Sequence, residues 1–349
     1  MSMRTLTFRA SILGCVLLLG LGLLVGNTAS AQLRVVTTTT DLKSLTEFVG
    51  GDLVTVTSIG TGREDVHLLA AKPSFMVQAN RADLWIRQGL ELEIGFEPLV
   101  LEGARNPDIH IGRRGHLDVS AGVRVRDVPT TPVDRSMGDV HPMGDPHYHS
   151  DPFNARVMAR HIRDRLIDLD PANEASYRAN YDSFLEQLAT AMFGEAAVAA
   201  LEEAVLWQHQ DNGTLDQRLA DAGVEPGGWY ARLRPHAGTP IVTYHRSWGY
   251  FADRFELVIL DQLEPKPGIP PTSRHLAELA ARMEARNVPV ILMEPYYSRR
   301  APDLIADRTG ATVVEVGNMV GSEAAATDYL AMIDNIVARL GDALDATSD

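Results

Sequence analysis

The chain has 349 residues, of which 45% are hydrophobic and 22% charged, and its formal net charge is -14. This length predicts about two domains that each bury a core, and the apolar content excludes a disordered chain. The negative charge argues against nucleic acid or an anionic lipid surface as the main partner.

Residues 1–31 are predicted to be a secretory signal peptide. Arg4 and Arg9 give a positive start, residues 12–25 are an almost uninterrupted apolar run, and the small residues 29–31 form a cleavage pattern. The apolar run is too short for a spanning helix. We therefore expect an exported protein.

The single cysteine, Cys15, lies inside this segment. It could be a lipid-attachment site, but a further apolar stretch at 16–25 follows it, whereas a lipid-attachment motif normally closes the apolar region. A mature chain without cysteine excludes disulfides and thiolate metal ligands.

The first half after the signal peptide alternates strands and helices. Strands are predicted at residues 33–39, 53–59 and 82–86, and helices at 42–49, 74–80 and 93–102. This alternation predicts a parallel sheet covered by helices. Residues 106–150 are rich in Gly, Pro, Asp, Arg and His and predict loops with short strands, including one at 119–128.

Helices dominate the middle of the chain. Residues 154–169 form one predicted helix, with Asp151 as its N-cap and Pro152 in its first turn. Residues 171–205 predict a longer helix, weakly broken at Gly194, that would connect two domains. Residues 211–238 are expected to be irregular with one short helix.

A second α/β alternation follows. Strands are predicted at residues 241–244, 257–261, 290–293 and 311–316, and helices at 248–255, 273–286, 301–309 and 327–340. The predicted fold is α/β, with two lobes that each contain a parallel sheet flanked by helices. The lobes, residues 32–170 and 206–349, are joined by the long rigid helix 171–205.

No phosphate-binding loop and no G-x-S-x-G motif occurs, so histidine carries the chemistry. His67 follows the second predicted strand and His245 ends the strand at 241–244. Three more, His141, His147 and His149, lie within nine residues before a capped helix, and local histidine clusters suit zinc, nickel or copper. Without a metal, the cluster at 141–149 would be a solvated polar loop. His245 would then be a core histidine whose ring is hydrogen-bonded to the backbone.

The chain resembles the zinc- and manganese-binding group of ABC-transporter solute-binding proteins. The matching segments are the strand 35–39, D-V-H at 65–67, K-P-S at 72–74, D-P-H-Y-H-S-D-P at 145–152, Y-H…G-Y-F at 244–251, L-E-P-K-P-G at 263–268, M-E-P at 293–295 and D-Y at 328–329. They cover nearly the whole mature chain in the family's order.

The resemblance implies that His67, His147 and His245 are metal ligands in the cleft between the lobes. A carboxylate often provides the family's fourth ligand, but Asn318 stands where an aspartate is expected, so Asn318 itself, Glu315, another histidine or water remain open for that position. Three imidazoles favour Zn²⁺, whereas manganese receptors of the family typically replace the third histidine by a carboxylate. His141 and His149 could help to capture zinc, although His149 could equally be an ordinary packed side chain.

The resemblance further implies a periplasmic zinc receptor that delivers the ion to an inner-membrane permease and its ATPase, with no nucleic acid partner. We expect a monomer without enzymatic activity. Alternatives are a manganese receptor of the same family or a secreted tri-histidine zinc hydrolase, for which Glu64, Asp65 or Glu315 could be the general base.

Overall fold

The computed structural model describes residues 32–132, 140–266 and 268–347. The predicted signal peptide and Cys15 lie outside the described residues. From Leu33 onward the described chain packs as one unit. In the described ranges, no helix is both long and apolar enough to cross a membrane.

The first lobe contains a four-stranded parallel sheet in the order β2-β1-β3-β4. Its strands are β1 Leu33–Thr37, β2 Val54–Ser58, β3 Leu84–Arg87 and β4 His116–Asp118, and its helices are α1 Thr40–Gly50, α2 Pro73–Asn80, α3 Glu97–Ala104 and α4 Pro152–Leu169. The strands are rich in β-branched residues, and Val35 and Val36 are buried on opposite faces of the sheet, as expected where helices cover both faces. Asp151 caps α4 as predicted, because its side chain accepts from the backbone N of Phe153 at 2.9 Å.

Five helices follow α4 before the next strand. They are α5 Glu174–Phe193, α6 Glu195–Ala200, α7 Glu203–Asp211, α8 Leu215–Asp221 and α9 Gly228–Leu233. The long helix is therefore present as α5, which spans about 30 Å. The segment expected to be irregular holds two short helices, α8 and α9, where one was predicted.

The helix predicted over 171–205, with a weak break at Gly194, is divided more completely in the structure, into α5, α6 and the start of α7. Gly194 ends α5 with φ 85° and ψ 154°, a conformation that favours glycine. A Cβ atom at Gly194 would lie 2.9 Å from the Cα of Gly227, so the close approach of these two backbones also requires glycine. The extended backbone of Leu201 then ends α6.

The second lobe repeats the same topology, with a parallel sheet in the order β6-β5-β7-β8. Its strands are β5 Pro240–Thr243, β6 Val258–Gln262, β7 Val290–Met293 and β8 Thr312–Glu315, and its helices are α10 Gly249–Arg254, α11 Ser273–Arg286, α12 Arg300–Thr309 and α13 Tyr329–Asp345. Two parallel sheets flanked by helices confirm the predicted α/β fold. In such sheets ligands bind beyond the carboxyl ends of the strands, where the strand order reverses.

Two other predicted elements differ from the structure. Residues 119–128 contain no strand, because Gly122 and Asp127 have positive φ angles that interrupt an extended chain, and the neighbouring strand is β4 instead. The helix predicted to start at residue 93 starts at Glu97. Leu90 and Glu91, both with positive φ, make a turn there.

One hydrophobic core runs through both lobes by way of α4, α5 and α13. At the lobe contact, Asp41 of α1 accepts a hydrogen bond from the backbone N of Val320 at 2.8 Å. The carbonyl O of Val320 would lie 2.2 Å from a Cβ at Gly62, so the loops after β2 and β8 meet without room for a side chain. The lobe boundaries at residues 170 and 205 stay a prediction.

Candidate metal centre

Three histidines from separate segments converge at the carboxyl ends of the two sheets. His67 lies in a turn after β2, His147 in the loop before α4, and His245 two residues after the end of β5. One ring nitrogen from each lies within 4.8 Å of those from the other two. The ring centroids are 5.1 to 5.6 Å apart. His147 and His245 are buried and His67 is partly buried.

Two of these histidines are held by a repeated local motif. Asp65 Oδ1 accepts from the backbone N of His67 at 3.0 Å and contacts its Nδ1 at 2.7 Å. Asp145 Oδ1 does the same for His147, at 2.9 and 2.7 Å. Each aspartate stands two residues before its histidine, so its carboxylate accepts from the backbone N of that histidine and from its ring at once. The turn therefore fixes the position of the carboxylate and of the ring.

A more distant carboxylate holds the third histidine. Glu264 Oε2 lies 2.8 Å from Nδ1 of His245, although nineteen residues separate them in the chain. A carboxylate accepts hydrogen bonds, so Nδ1 of all three rings carries the proton and Nε2 keeps its lone pair. Histidine ligands of metals characteristically donate their second nitrogen to a carboxylate in this way.

Burial and charge act in opposite directions on the buried rings. Burial lowers the pKa of His147 well below the ordinary histidine value, and the neighbouring His67 and His245 add to the effect. Burial also acts to lower the pKa of His245, but the hydrogen bond to Glu264 and the charges of Glu294 and Asp65 outweigh it and raise that pKa. His147 is therefore held neutral, whereas His245 binds a proton more readily.

The two side chains considered for a fourth ligand are engaged elsewhere. Asn318 is buried, donates from Nδ2 to Glu294 at 3.3 Å and accepts from the hydroxyl of Tyr296 at 3.5 Å. Glu315 accepts from Arg299 at 3.0 Å near the surface. Neither belongs to the three-histidine group.

The remaining histidines of the loop differ from one another. His141 lies at the edge of the group, with its Nε2 2.9 Å from Nε2 of His67, and together with His147 and His245 it lines a cavity of about 30 Å³. His149 is fully buried, with Nδ1 2.8 Å from the amide of Gln88 and Nε2 3.2 Å from the carbonyl of Asn318. Both ring nitrogens of His149 are thus engaged in hydrogen bonds within the protein.

The three carboxylates considered as the general base of a hydrolase also take part in hydrogen bonds. Glu64 accepts from the backbone N of Thr61 at 2.9 Å, Asp65 holds His67, and Glu315 pairs with Arg299.

Sequence reasoning missed the supporting roles of Asp65, Asp145 and Glu264. The repeated D-x-H spacing at 65–67 and 145–147 is a signal that could have shown the two aspartates. Nothing in the sequence connects Glu264 to His245, since the helix α10 and the strand β6 lie between them.

Solved structures share this two-lobed arrangement. A crystal structure of ZnuA superposes with a TM-score of 0.65, covering 89% of this chain and 99% of that chain at 19% identity. The laminin-binding protein Lmb of Streptococcus agalactiae superposes with a TM-score of 0.64, covering 89% and 99% at 20% identity. These likenesses establish the fold as a two-lobed α/β protein with a parallel sheet in each lobe.

Sequence comparison gives the family. The chain is 24% identical over 312 residues to the iron-binding protein YfeA of Yersinia pestis, covering 88% of this chain and 84% of that protein. Residues 35–215 and 229–343 match the model of the family described as zinc-uptake complex component A, periplasmic. The chain belongs to this family, as its sequence resemblance indicated.

Proposed function

We propose that the chain is the zinc-binding receptor of an ABC transporter, which captures Zn²⁺ between its lobes. The observation that carries this proposal is the convergence of His67, His147 and His245, each with Nδ1 held by a carboxylate. The Nε2 atom of each ring is then left as the donor for a metal ion, and one ring nitrogen of each histidine lies within 4.8 Å of those of the other two. Neutral imidazoles in this number suit a tetrahedral zinc site with one further position.

The donor atoms support zinc over manganese. Mn²⁺ prefers carboxylate, carbonyl and water oxygens, whereas the group consists of three nitrogens. The carboxylates nearby, such as Asp65 and Glu264, are used to hold the rings. Relatives carry names for other metals, including iron in YfeA and manganese in scaA of Streptococcus gordonii, so a manganese or iron receptor is the second candidate.

The predicted signal peptide and the family together support a place in the periplasm. The partners would be an inner-membrane permease and its ATPase, to which a monomeric receptor delivers the ion. We propose binding and not catalysis, because the three carboxylates considered as a general base, Glu64, Asp65 and Glu315, take part in other hydrogen bonds.

Metal uptake in living cells tests this function. Cells that lack the chain should accumulate radioactive zinc more slowly when zinc is scarce, and the intact gene should restore uptake. A gene carrying His147→Ala should not restore uptake. A gene carrying His110→Ala should restore it, because His110 is exposed and lies outside the three-histidine group. Normal zinc uptake together with reduced manganese uptake in the deleted cells would support the second candidate.

A further inference from the structure

A tyrosine of the second lobe reaches a carboxylate of the first lobe across the cleft. Tyr297 lies in the turn after β7, and its hydroxyl donates to Oδ2 of Asp65 at 3.0 Å. Asp65 stands in the turn after β2, so the two groups come from opposite sheets. Their contact exists only when the lobes are as close as they are in this structure.

Asp65 is also the group that orients His67. Its Oδ1 accepts from the backbone N and from Nδ1 of that histidine, and its Oδ2 is held by Tyr297. The equivalent Asp145 uses only one oxygen, because its buried Oδ2 has no hydrogen-bond partner in the described part of the chain. The two aspartates therefore differ in their carboxylates: that of Asp65 is held from the other lobe, whereas Tyr250 of the second lobe donates to the backbone carbonyl of Asp145 at 2.9 Å.

The ring of Tyr297 is itself fixed beside the third histidine. It stacks on Tyr244, with ring centroids 4.3 Å apart and planes at 7°, and its centroid is 6.0 Å from that of His245. Tyr244 directly precedes His245 in the chain. Tyr297 thus packs beside His245 of the second lobe and also donates to Asp65, the carboxylate that orients His67 of the first lobe.

We propose that Tyr297 is a positioning residue for the metal site, which couples the approach of the lobes to the orientation of His67. This inference rests on the proposed function. With the hydroxyl in place, Asp65 cannot rotate away from Nδ1 of His67, so Nε2 stays directed at the cleft. Without it, Asp65 gains freedom and the ring loses its fixed direction.

Tyr297→Phe tests the inference, because it removes only the hydroxyl and keeps the ring on Tyr244. Tyr230→Phe is the matched control, since the hydroxyl of Tyr230 also donates to an aspartate, Asp216, at 3.0 Å outside the site. We expect Tyr297→Phe to weaken zinc binding about threefold to tenfold, less than the roughly 10- to 100-fold usual for losing the direct partner of a metal ligand, because the hydroxyl acts through Asp65. Tyr230→Phe should bind zinc as the wild type does.

Two further measurements separate positioning from a general structural effect. The visible spectrum of bound Co²⁺ should change in Tyr297→Phe and not in Tyr230→Phe, because the spectrum reports the ligand geometry. In an Asp65→Ala background, adding Tyr297→Phe should cause no further loss of affinity, since the hydroxyl acts through Asp65.

The outcomes distinguish the inference from the function on which it rests. Wild-type affinity in Tyr297→Phe, or an equal loss in the presence and absence of Asp65, would overturn the inference and leave zinc binding intact. A wild-type chain that binds no zinc would overturn the proposed function, and the inference with it.

Discussion

The Nε2 atoms of His67 and His141 lie 2.9 Å apart. Two nitrogens at this distance share a hydrogen, and since His67 already donates from Nδ1 to Asp65, His141 is the donor. The lone pair that would bind a metal ion is therefore covered by His141. In tetrahedral zinc sites with Zn–N bonds of about 2.0–2.1 Å, ligand nitrogens stand about 3.3–3.4 Å apart, so a small outward shift of His141 would let it bind the ion beside His67.

We therefore expect His141 to supply the fourth ligand when zinc is bound. His141→Ala should weaken zinc binding at least tenfold, because water then replaces an imidazole that the loop already places beside His67. Competition against a chelator of known affinity measures the loss. His110→Ala is the control, and equal affinity of the two variants would show that His141 is no ligand.

Zinc affinity should fall as the solution becomes acidic, and His245 should take up a proton before His147. Its pKa is raised, chiefly through Glu264, so on acidification its Nε2 takes up a proton before His147, whose pKa is lowered by burial. Once the pH is below the pKa of His245, affinity should drop about tenfold for each further pH unit. Nuclear magnetic resonance of the histidine rings in the metal-free protein should show this order; a His147 that protonates first would contradict it.

Glu264→Gln separates the two effects of that carboxylate. Loss of its negative charge should lower the pKa of His245, so the pH below which zinc affinity begins to fall should be lower than in the wild type. At neutral pH the same change should weaken binding about 10- to 100-fold, because the imidazole becomes a poorer donor. Glu278→Gln, on the exposed face of α11, serves as control and should alter neither property.

Arg254 is expected to contribute strongly to stability through its contact with the first lobe. It forms two hydrogen bonds to Asp151, of 2.7 and 3.0 Å, and lies against the rings of Phe153 and Trp207. Because both charges are nearly buried, Arg254→Met should lower the free energy of unfolding by about 3–5 kcal/mol.

The exposed pair of Arg274 and Glu278 gives the matched comparison for this effect. Arg274→Met should leave the free energy of unfolding almost unchanged, as is usual for surface ion pairs. Urea unfolding of the metal-free proteins measures both variants. Similar small losses in the two would mean that the contact between Arg254 and Asp151 adds little.

The sequence allowed the α/β class and the three histidines to be predicted, because strand alternation and local motifs are properties of short segments. His149 shows the limit of this reasoning. It lies two residues from His147 in a histidine cluster, yet Gln88 and Asn318 from distant segments bind both of its nitrogens. Tyr297 shows the same limit, since its partner Asp65 is 232 residues away and belongs to the other lobe.

The break in the predicted long helix has a similar cause. Gly194 alone indicates only a weak interruption, since single glycines occur inside helices. The helix ends there because the backbone of Gly227 packs directly against it. Such a contact joins residues that are far apart in the chain, and local helix propensity contains no information about it.

The most direct test is the amount of metal bound by the purified mature chain when Zn²⁺ and Mn²⁺ are offered together, compared with His67→Ala, His147→Ala and His245→Ala. We expect one zinc ion and no manganese per wild-type chain, and a loss of affinity of at least about 100-fold in each variant, because each removes a direct ligand. Tight zinc binding that survives all three changes, or a wild-type chain loaded with manganese, would contradict the proposed zinc site.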